Sequence, residues 1–112
     1  MSPIRYISGY KFMWMMVMFD LPTMTKSDRK EYTRFRNYLL DCGFDMSQYS
    51  VYFRLVSSKE RVERFEDKIA DQLPEAGKVQ IITITDKQYE NIKAYYGNDP
   101  ESCKKTDQLH LF

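Results

Sequence analysis

The longest apolar segment of the chain covers residues 12–19 and consists of eight consecutive hydrophobic residues. It predicts a strand over Lys11–Phe19 that is buried on both faces, because a strand with one solvated face would alternate apolar and polar positions. Asp20 follows at once, before Leu21 and Pro22. A carboxylate beside a buried strand needs a hydrogen bond, a counter-charge or a bound cation. Asp20 is therefore either a turn-capping residue or part of a site, and the pattern leaves both interpretations open.

Two later segments change to the helical period. In the first, over Ser27–Cys42, one face collects the apolar residues Tyr32, Phe35, Leu39 and Cys42. In the second, from Ser57 or Ser58 to Pro74, the same face collects Val62, Phe65, Ile69 and Leu73. Spacing of this kind predicts two amphipathic helices. Thr25 and Asp28 form a capping-box pattern at the start of the first helix, and Gly43 is a typical terminator behind it.

The remaining apolar segments are shorter and favour strands. The predicted strands are Phe44–Ser47, Gln48–Val56, Lys78–Thr85 and a terminal Leu109–Phe112. In the second of these, Val51, Phe53 and Leu55 share one face by alternation. A short helix is predicted over Asp86–Tyr96, capped by Thr85 or Asp86.

The order of these elements is β-α-β-β-α-β, followed by a short helix and a C-terminal strand. This order is typical of a ferredoxin-like α+β fold, an antiparallel sheet with helices on one face. We predict a single ferredoxin-like domain over residues 11–112, behind a leader at residues 1–10. The other sheet face has no predicted helical cover, so we expect a homodimer that buries it. Its expected interface residues include Met13, Met15, Tyr49 and Tyr52.

The composition excludes several classes of site. The two cysteines, Cys42 and Cys103, lie far apart and His110 is the single histidine, which argues against zinc and thiol redox sites. None of the four glycines belongs to a P-loop. The apolar run is too short to cross a bilayer, and no signal peptide is evident. We therefore expect a soluble cytoplasmic protein that does not insert into a membrane.

The charge is distributed unevenly, although its formal total is only +1. Residues 1–56 carry a net charge of +3 and residues 57–112 a net charge of −2. The first predicted helix concentrates the cations Lys26, Arg29, Lys30, Arg34 and Arg36. A basic stripe opposite the apolar face is typical of contact with a phosphate backbone. A solvated amphipathic helix has the same pattern, so the stripe alone does not decide between the two.

A homodimer gives Asp20 a possible chemical role. Twofold symmetry repeats each residue across the axis, so one Asp20 per chain becomes a pair of carboxylates if it lies near that axis. Such a pair suits Mg²⁺, which prefers oxygen ligands and retains several waters. The ion would support phosphodiester hydrolysis. The alternative is that Asp20 accepts backbone hydrogen bonds in the Asp-Leu-Pro turn. Tyr49 and Tyr52 would either stack on unpaired bases or pack in the sheet or at the dimer interface.

Several segments, taken in order, resemble the CRISPR-associated protein two family. They are Met16–Pro22, Arg34–Arg36, Gly43–Phe44, Gln48–Tyr52 and Val79–Thr85. The resemblance extends from about Lys11 to Tyr96, and Gln108–Phe112 is similar to the terminal strand of the family. Gly9–Trp14, followed by Asp-Leu-Pro, is most similar to members from type II systems.

This resemblance implies a ferredoxin-like homodimer in which Asp20 binds Mg²⁺ together with its twofold mate. It also implies a metal-dependent endonuclease that acts on single-stranded RNA or on DNA. In spacer acquisition, the dimer is implied to be a scaffold that bridges CRISPR-associated integrase subunits and holds duplex DNA along its basic surface. The alternative function is a non-catalytic ferredoxin-like dimer that binds a protein partner.

Overall fold

The structure, a computed structural model, describes residues 12–97. Its elements in chain order are β1 (Met13–Asp20), α1 (Lys26–Asp41), β2 (Asp45–Gln48), β3 (Val51–Val56), α2 (Lys59–Ala70), β4 (Lys78–Thr85) and α3 (Asp86–Glu90). The predicted β-α-β-β-α-β order with a short helix behind it is confirmed. The predicted leader at residues 1–10 and the predicted strand Leu109–Phe112 lie outside the described residues.

The four strands form one antiparallel sheet in the order β2-β3-β1-β4. The apolar strand β1 is central and pairs with β3 on one side and with β4 on the other. Helix α1 connects β1 to β2 and helix α2 connects β3 to β4, so each helix spans two parallel strands with one antiparallel strand between them. This is the ferredoxin-like α+β fold that the sequence predicts.

The helix ends follow the local sequence. Thr25 and Asp28 form the predicted capping box of α1, with Thr25 Oγ1 accepting from the Asp28 N–H at 3.0 Å. Helix α3 also begins with a capping box, in which Thr85 is the N-cap. These bonds satisfy backbone N–H groups that have no partner inside a helix. Within residues 12–97, no helix combines the length and apolar character needed to cross a membrane.

The hydrophobic core lies between the sheet and the two long helices. Strand β1 contributes the alternate residues Met15, Val17 and Phe19, and the helices contribute Phe35, Leu39, Val62, Phe65 and Ile69. The helical faces predicted from the spacing are confirmed at these positions. Leu73 is an exception and is 48% exposed, because α2 ends at Ala70 and does not extend to Pro74.

The side of the sheet away from the long helices carries Trp14, Met16 and Met18, and we call it the open face. Three of the four predicted interface residues are wrong, and Tyr49, which is exposed, is the exception. Met15 and Tyr52 are buried beneath the helices, with 0% and 1% exposure, and Met13 packs against the core. Because β1 is apolar on both faces, its sequence has no alternation from which to assign the two sides.

The short helix α3 covers part of the open face, which the sequence did not predict. The ring of Tyr89 stacks on Trp14 with 3.7 Å between centroids, and Phe53 contacts both rings edge-on. Trp14 Nε1 donates a hydrogen bond to Asp86 Oδ1 at 2.8 Å. Burial, and then the charge of Asp86, raise the pKa of Tyr89. The described residues therefore cover the open face at the Trp14 end and leave it uncovered at the Asp20 end.

Candidate functional site

Asp20 is the last residue of β1 and is exposed at the uncovered end of the open face. The β2–β3 turn and the start of β4 meet the end of β1 at this point. Together they form a shallow concavity of about 180 Å³ whose lining includes Met18, Asp20, Tyr49, Ser50, Lys78 and Gln80. The strand ends therefore place a carboxylate among exposed polar groups and one aromatic ring.

The β2–β3 turn fixes the backbone next to Asp20. The Phe19 N–H donates to the Ser50 carbonyl oxygen at 3.0 Å. The Ser50 hydroxyl is within 2.9 Å of the Tyr32 hydroxyl, so the turn is also tied to α1. Ser50 has φ of +61°, which is a left-handed conformation that non-glycine residues seldom adopt. These contacts hold the end of β1 in place from one side.

Gly77 holds the other side, a role that no pattern in the sequence indicates. It has φ of +96°, and a Cβ added there would lie 2.6 Å from the Asp20 carbonyl oxygen and 2.8 Å from Leu21 Cδ2. Only glycine lets the loop before β4 approach the backbone of Asp20 so closely. A lone glycine gives no hint of this contact in the sequence, because its partner is on a distant strand.

The Asp20 carboxylate has no protein partner within residues 12–97. Neither a hydrogen-bond donor nor a cation within 4.0 Å contacts it there. The turn-capping interpretation requires N–H donors from the Asp-Leu-Pro turn, and the structure places none on this side chain. The geometry favours the other interpretation, in which the carboxylate is available to a ligand.

The oxygen donors around Asp20 are few for a divalent cation. Among the described residues, no group of three or more His, Cys, Asp or Glu side chains is placed to hold a metal ion. Mg²⁺ keeps several of its waters and is commonly bound through only one or two carboxylates. One exposed Asp20 from each of two chains would supply such a set, whereas a single chain supplies only half of it.

The basic residues of α1 lie at the same end of the fold but on its other side. Helix α1 packs on the covered face, so its solvent side is directed away from the open face. A shallow surface there brings together Lys26, Arg29, Lys30 and Arg34, with Thr33 and Asn37 between them. Arg36 does not line this surface, and its Nη1 donates to Asn37 Oδ1 at 3.4 Å. The structure does not merge the stripe and Asp20 into one site.

The cations of the stripe differ in their availability. Arg34 is paired with Glu31 at 3.0 Å and donates to the Gln72 carbonyl oxygen at 2.9 Å, so it ties α1 to the end of α2. The hydrogen bond from Arg34 lowers the pKa of Glu31. Arg29 donates to the Thr23 carbonyl oxygen at 3.1 Å. Lys26 and Lys30 are exposed and have no ion-pair or hydrogen-bond partner among residues 12–97.

The two tyrosines considered for base stacking have opposite environments. Tyr49 is 89% exposed at the tip of the β2–β3 turn and lines the concavity beside Asp20. Tyr52 is in the core, where its ring stacks on Phe19 with 5.7 Å between centroids. Stacking on a nucleic-acid base is therefore excluded for Tyr52, and packing in the sheet is wrong for Tyr49.

Comparison with known proteins identifies a family whose model spans these residues. The family model described as "CRISPR associated protein Cas2" matches residues 13–92, a span that includes Asp20, the α1 stripe and β4. A "CRISPR-associated endoribonuclease Cas2" from Paracidovorax avenae is 48% identical over 107 residues, which are 95% of this chain and 99% of the relative. Relatives of the same description from Flavobacterium psychrophilum and Parvibaculum lavamentivorans are 43% and 45% identical, over 95% and 89% of this chain and 93% and 100% of their own lengths.

Proposed function

The chain belongs to the CRISPR-associated protein Cas2 family, and on this premise we propose that it is a homodimeric, Mg²⁺-dependent endonuclease of CRISPR spacer acquisition. The observation that carries the proposal is the Asp20 carboxylate, which is exposed and unpaired among the described residues at the uncovered end of an apolar sheet face. The endoribonuclease names of the relatives support RNA as the first substrate to test, and its single-stranded form follows from the resemblance seen in the sequence.

The homodimer is proposed from the open face. Between its Trp14 and Asp20 ends this face carries apolar side chains: Ile82, which is 41% exposed, pairs with Met16 of β1, and Met18 lies on the same face nearer Asp20. Exposed apolar surface on a sheet favours association, and a twofold interface repeats the same patch on both chains. A twofold axis near the Asp20 end of the face would bring the two Asp20 carboxylates together. The dimer therefore completes the donor set that a single chain lacks.

In this site the two Asp20 side chains would hold Mg²⁺, which when bound lowers the pKa of a coordinated water and neutralises developing negative charge. The chain itself fixes the carboxylate before substrate arrives, because Ser50 and Gly77 hold the adjacent backbone from opposite sides. The open concavity admits an extended strand, and exposed Tyr49 offers a ring on which an unpaired base can stack.

The scaffold function is assigned to the opposite side of the fold. There Lys26 and Lys30 are available for phosphate contacts, while Arg29 and Arg34 also have intramolecular partners. Two copies of this surface in a homodimer would hold duplex DNA between integrase subunits. We propose that cleavage and duplex binding use separate surfaces and can be lost separately. The type II origin stays a prediction from the sequence, since the relatives' names specify no system type.

The proposal is tested by comparing wild type with Asp20→Asn. Asparagine keeps the size of the side chain but removes the charge that binds a divalent cation, and the position is exposed, so folding should be preserved. We expect loss of Mg²⁺-dependent cleavage of single-stranded RNA, with unchanged binding of duplex DNA. Unchanged cleavage by the variant would contradict the assignment. Absence of both cleavage and low-salt duplex binding in wild type would favour the non-catalytic dimer that binds a protein partner.

A further inference from the structure

Besides the divalent cation proposed at Asp20, a fixed positive charge of the chain on the open face would favour phosphate binding there, and the α1 stripe cannot supply it. The stripe lies beyond the sheet on the covered side, whereas the Asp20 side chain lies on the open side. Among the residues that line the concavity around Asp20, Lys78 is the one cation. Any role of this lysine toward a reacting strand rests on the proposed function of Asp20.

The strand register places Lys78 directly beside Asp20. The two residues are partners in the antiparallel β1–β4 ladder, so they project from the same side of the sheet. Side chains opposite each other in such a ladder have Cβ atoms about 4.5–5.5 Å apart. The β4 residue on the same face next to Lys78 is Gln80, which also lines the concavity. Lys78 is therefore the nearest cation that the sheet presents to a ligand of Asp20.

Asp20 and Lys78 do not form an ion pair with each other. Both residues are exposed, and their nitrogen and oxygen atoms are more than 4.0 Å apart, since no ion pair joins them. Lys78 has no other hydrogen-bond or ion-pair partner among residues 12–97. A structural counter-ion would be expected to contact the carboxylate. An ammonium that stands beside a carboxylate without contacting it leaves room for a group between them.

The backbones of Asp20 and Lys78 are held next to each other in the sheet, while the Lys78 side chain is exposed. Gly77, which precedes Lys78, lies so close to the Asp20 backbone that a Cβ added to it would clash with the Asp20 carbonyl oxygen. The four-carbon stem of lysine lets its ammonium turn about this fixed point. The pair thus combines a rigid base with an adjustable cation, which suits a phosphate whose position differs from one nucleotide to the next.

We propose that Lys78 binds the phosphate of the RNA strand that reacts at Asp20. Its ammonium donates to a non-bridging phosphate oxygen, while the Asp20 carboxylate faces the divalent cation. In this arrangement Lys78 strengthens the binding of RNA but weakens the binding of a divalent cation in the absence of RNA. Without RNA, the ammonium repels a divalent cation near Asp20; with RNA, the phosphate lies between the two positive charges and binds both.

The experiment compares Lys78→Gln with wild type and with Lys59→Gln. Lys59 is exposed at the start of α2, which follows the far end of β3 and is remote from Asp20, so this control removes the same charge elsewhere. Binding of a fluorescent single-stranded RNA is measured without divalent ions at several salt concentrations. Binding of Mn²⁺, an EPR-visible substitute for Mg²⁺, is measured without RNA.

For Lys78→Gln we expect RNA binding to weaken about tenfold at low salt, because a hydrogen bond to a charged group is lost. The slope of log K against log salt should fall by about 0.7, the value for one phosphate contact on a single strand. Mn²⁺ should bind about threefold more tightly because a neighbouring charge is removed. Lys78→Arg should keep wild-type RNA binding, and the urea midpoints of all variants verify folding.

Two outcomes would overturn the inference. If Lys78→Gln has the same RNA affinity and salt slope as Lys59→Gln, Lys78 does not bind the phosphate. If Mn²⁺ binding weakens in Lys78→Gln while RNA binding is unchanged, the lysine only supports the position of Asp20. Neither outcome changes what Asp20→Asn shows about cleavage, so the proposed function is tested separately. Conversely, full cleavage by Asp20→Asn would refute the proposed function whatever RNA affinity Lys78→Gln shows.

Discussion

Replacement of Gly77 by alanine should disturb the candidate site more than any other glycine substitution in the described fold. The new Cβ would lie 2.6 Å from the Asp20 carbonyl oxygen, whereas real Cβ atoms essentially never lie within 3.0 Å of a non-bonded heavy atom. Two of the three nearest atoms, the Asp20 carbonyl oxygen and Leu21 Cα, belong to the backbone, so relief requires the loop or the end of β1 to move. Either movement displaces the residue on which the proposed chemistry depends.

Gly43 provides the matched control for this substitution. It also has a positive φ, of +89°, but its added Cβ would meet only the side chain of Arg54, with the nearest atom at 3.1 Å. Alanine in the left-handed region costs about 1–2 kcal/mol at either position. Forcing extra volume against fixed neighbours adds about 1–3 kcal/mol. We therefore expect Gly77→Ala to lose about 2–5 kcal/mol and Gly43→Ala about 1–2 kcal/mol.

The free energy of unfolding is measured by urea titration at one protein concentration, because the stability of a dimer depends on concentration. RNA cleavage is measured at a temperature at which both variants are folded. Gly77→Ala should lose cleavage under these conditions and Gly43→Ala should retain it. Equal destabilisation of the two variants, or full cleavage by Gly77→Ala, would refute the argument that this glycine positions Asp20.

Three further predictions concern the basic stripe, Tyr49 and pH. Arg34→Ala should lower the free energy of unfolding by about 1 kcal/mol without changing the salt dependence of duplex binding, because its N–H groups donate to Glu31 and Gln72. Lys26→Gln should leave the stability unchanged and lower the salt slope of duplex binding by about 0.9. Tyr49→Ala should weaken single-stranded RNA binding about tenfold, whereas Tyr49→Phe, which keeps the ring, should not, and equal losses in both would exclude stacking. Burial, with Cys42 and Asp71 nearby, raises the pKa of Tyr38 from 10.0 to about 12, so its contribution to stability is complete below pH 10.0 and is lost as the pH rises towards about 12. In urea titrations below and above pH 10.0, Tyr38→Phe should therefore lose less stability at the higher pH than wild type does. An equal loss of stability in both proteins would contradict the pKa shift.

The local signals in the sequence were sufficient for most of the secondary structure. The bounds Lys78–Thr85 of β4 are as predicted, and both the capping box at Thr25 and the apolar faces of the long helices are confirmed. Each of these features depends on residues within about two helical turns or on alternation along one strand. Helix α3 is shorter than predicted, ending at Glu90, because the large side chains behind it pack little on the sheet: Ile92 is 50% exposed and Tyr95 is 85% exposed.

The features that the sequence did not reveal all depend on contacts between distant segments. The side of β1 that faces the helices is set by the fold, because both sides of the strand are apolar. The position of Lys78 opposite Asp20 depends on strand register, which no local pattern encodes. In the sequence Arg34 has the pattern of a typical stripe cation, and only its hydrogen bond to Gln72, in the turn behind α2, shows that it is engaged.

The central claim is that two Asp20 carboxylates from two chains form one metal site. The most direct test is the stoichiometry of Mn²⁺ binding, determined by EPR on wild type and on Asp20→Asn, together with the molar mass of the protein in solution. We predict a dimer that binds one Mn²⁺ for every two chains, and loss of that binding in Asp20→Asn. One Mn²⁺ per chain, or undiminished binding by Asp20→Asn, would contradict the claim.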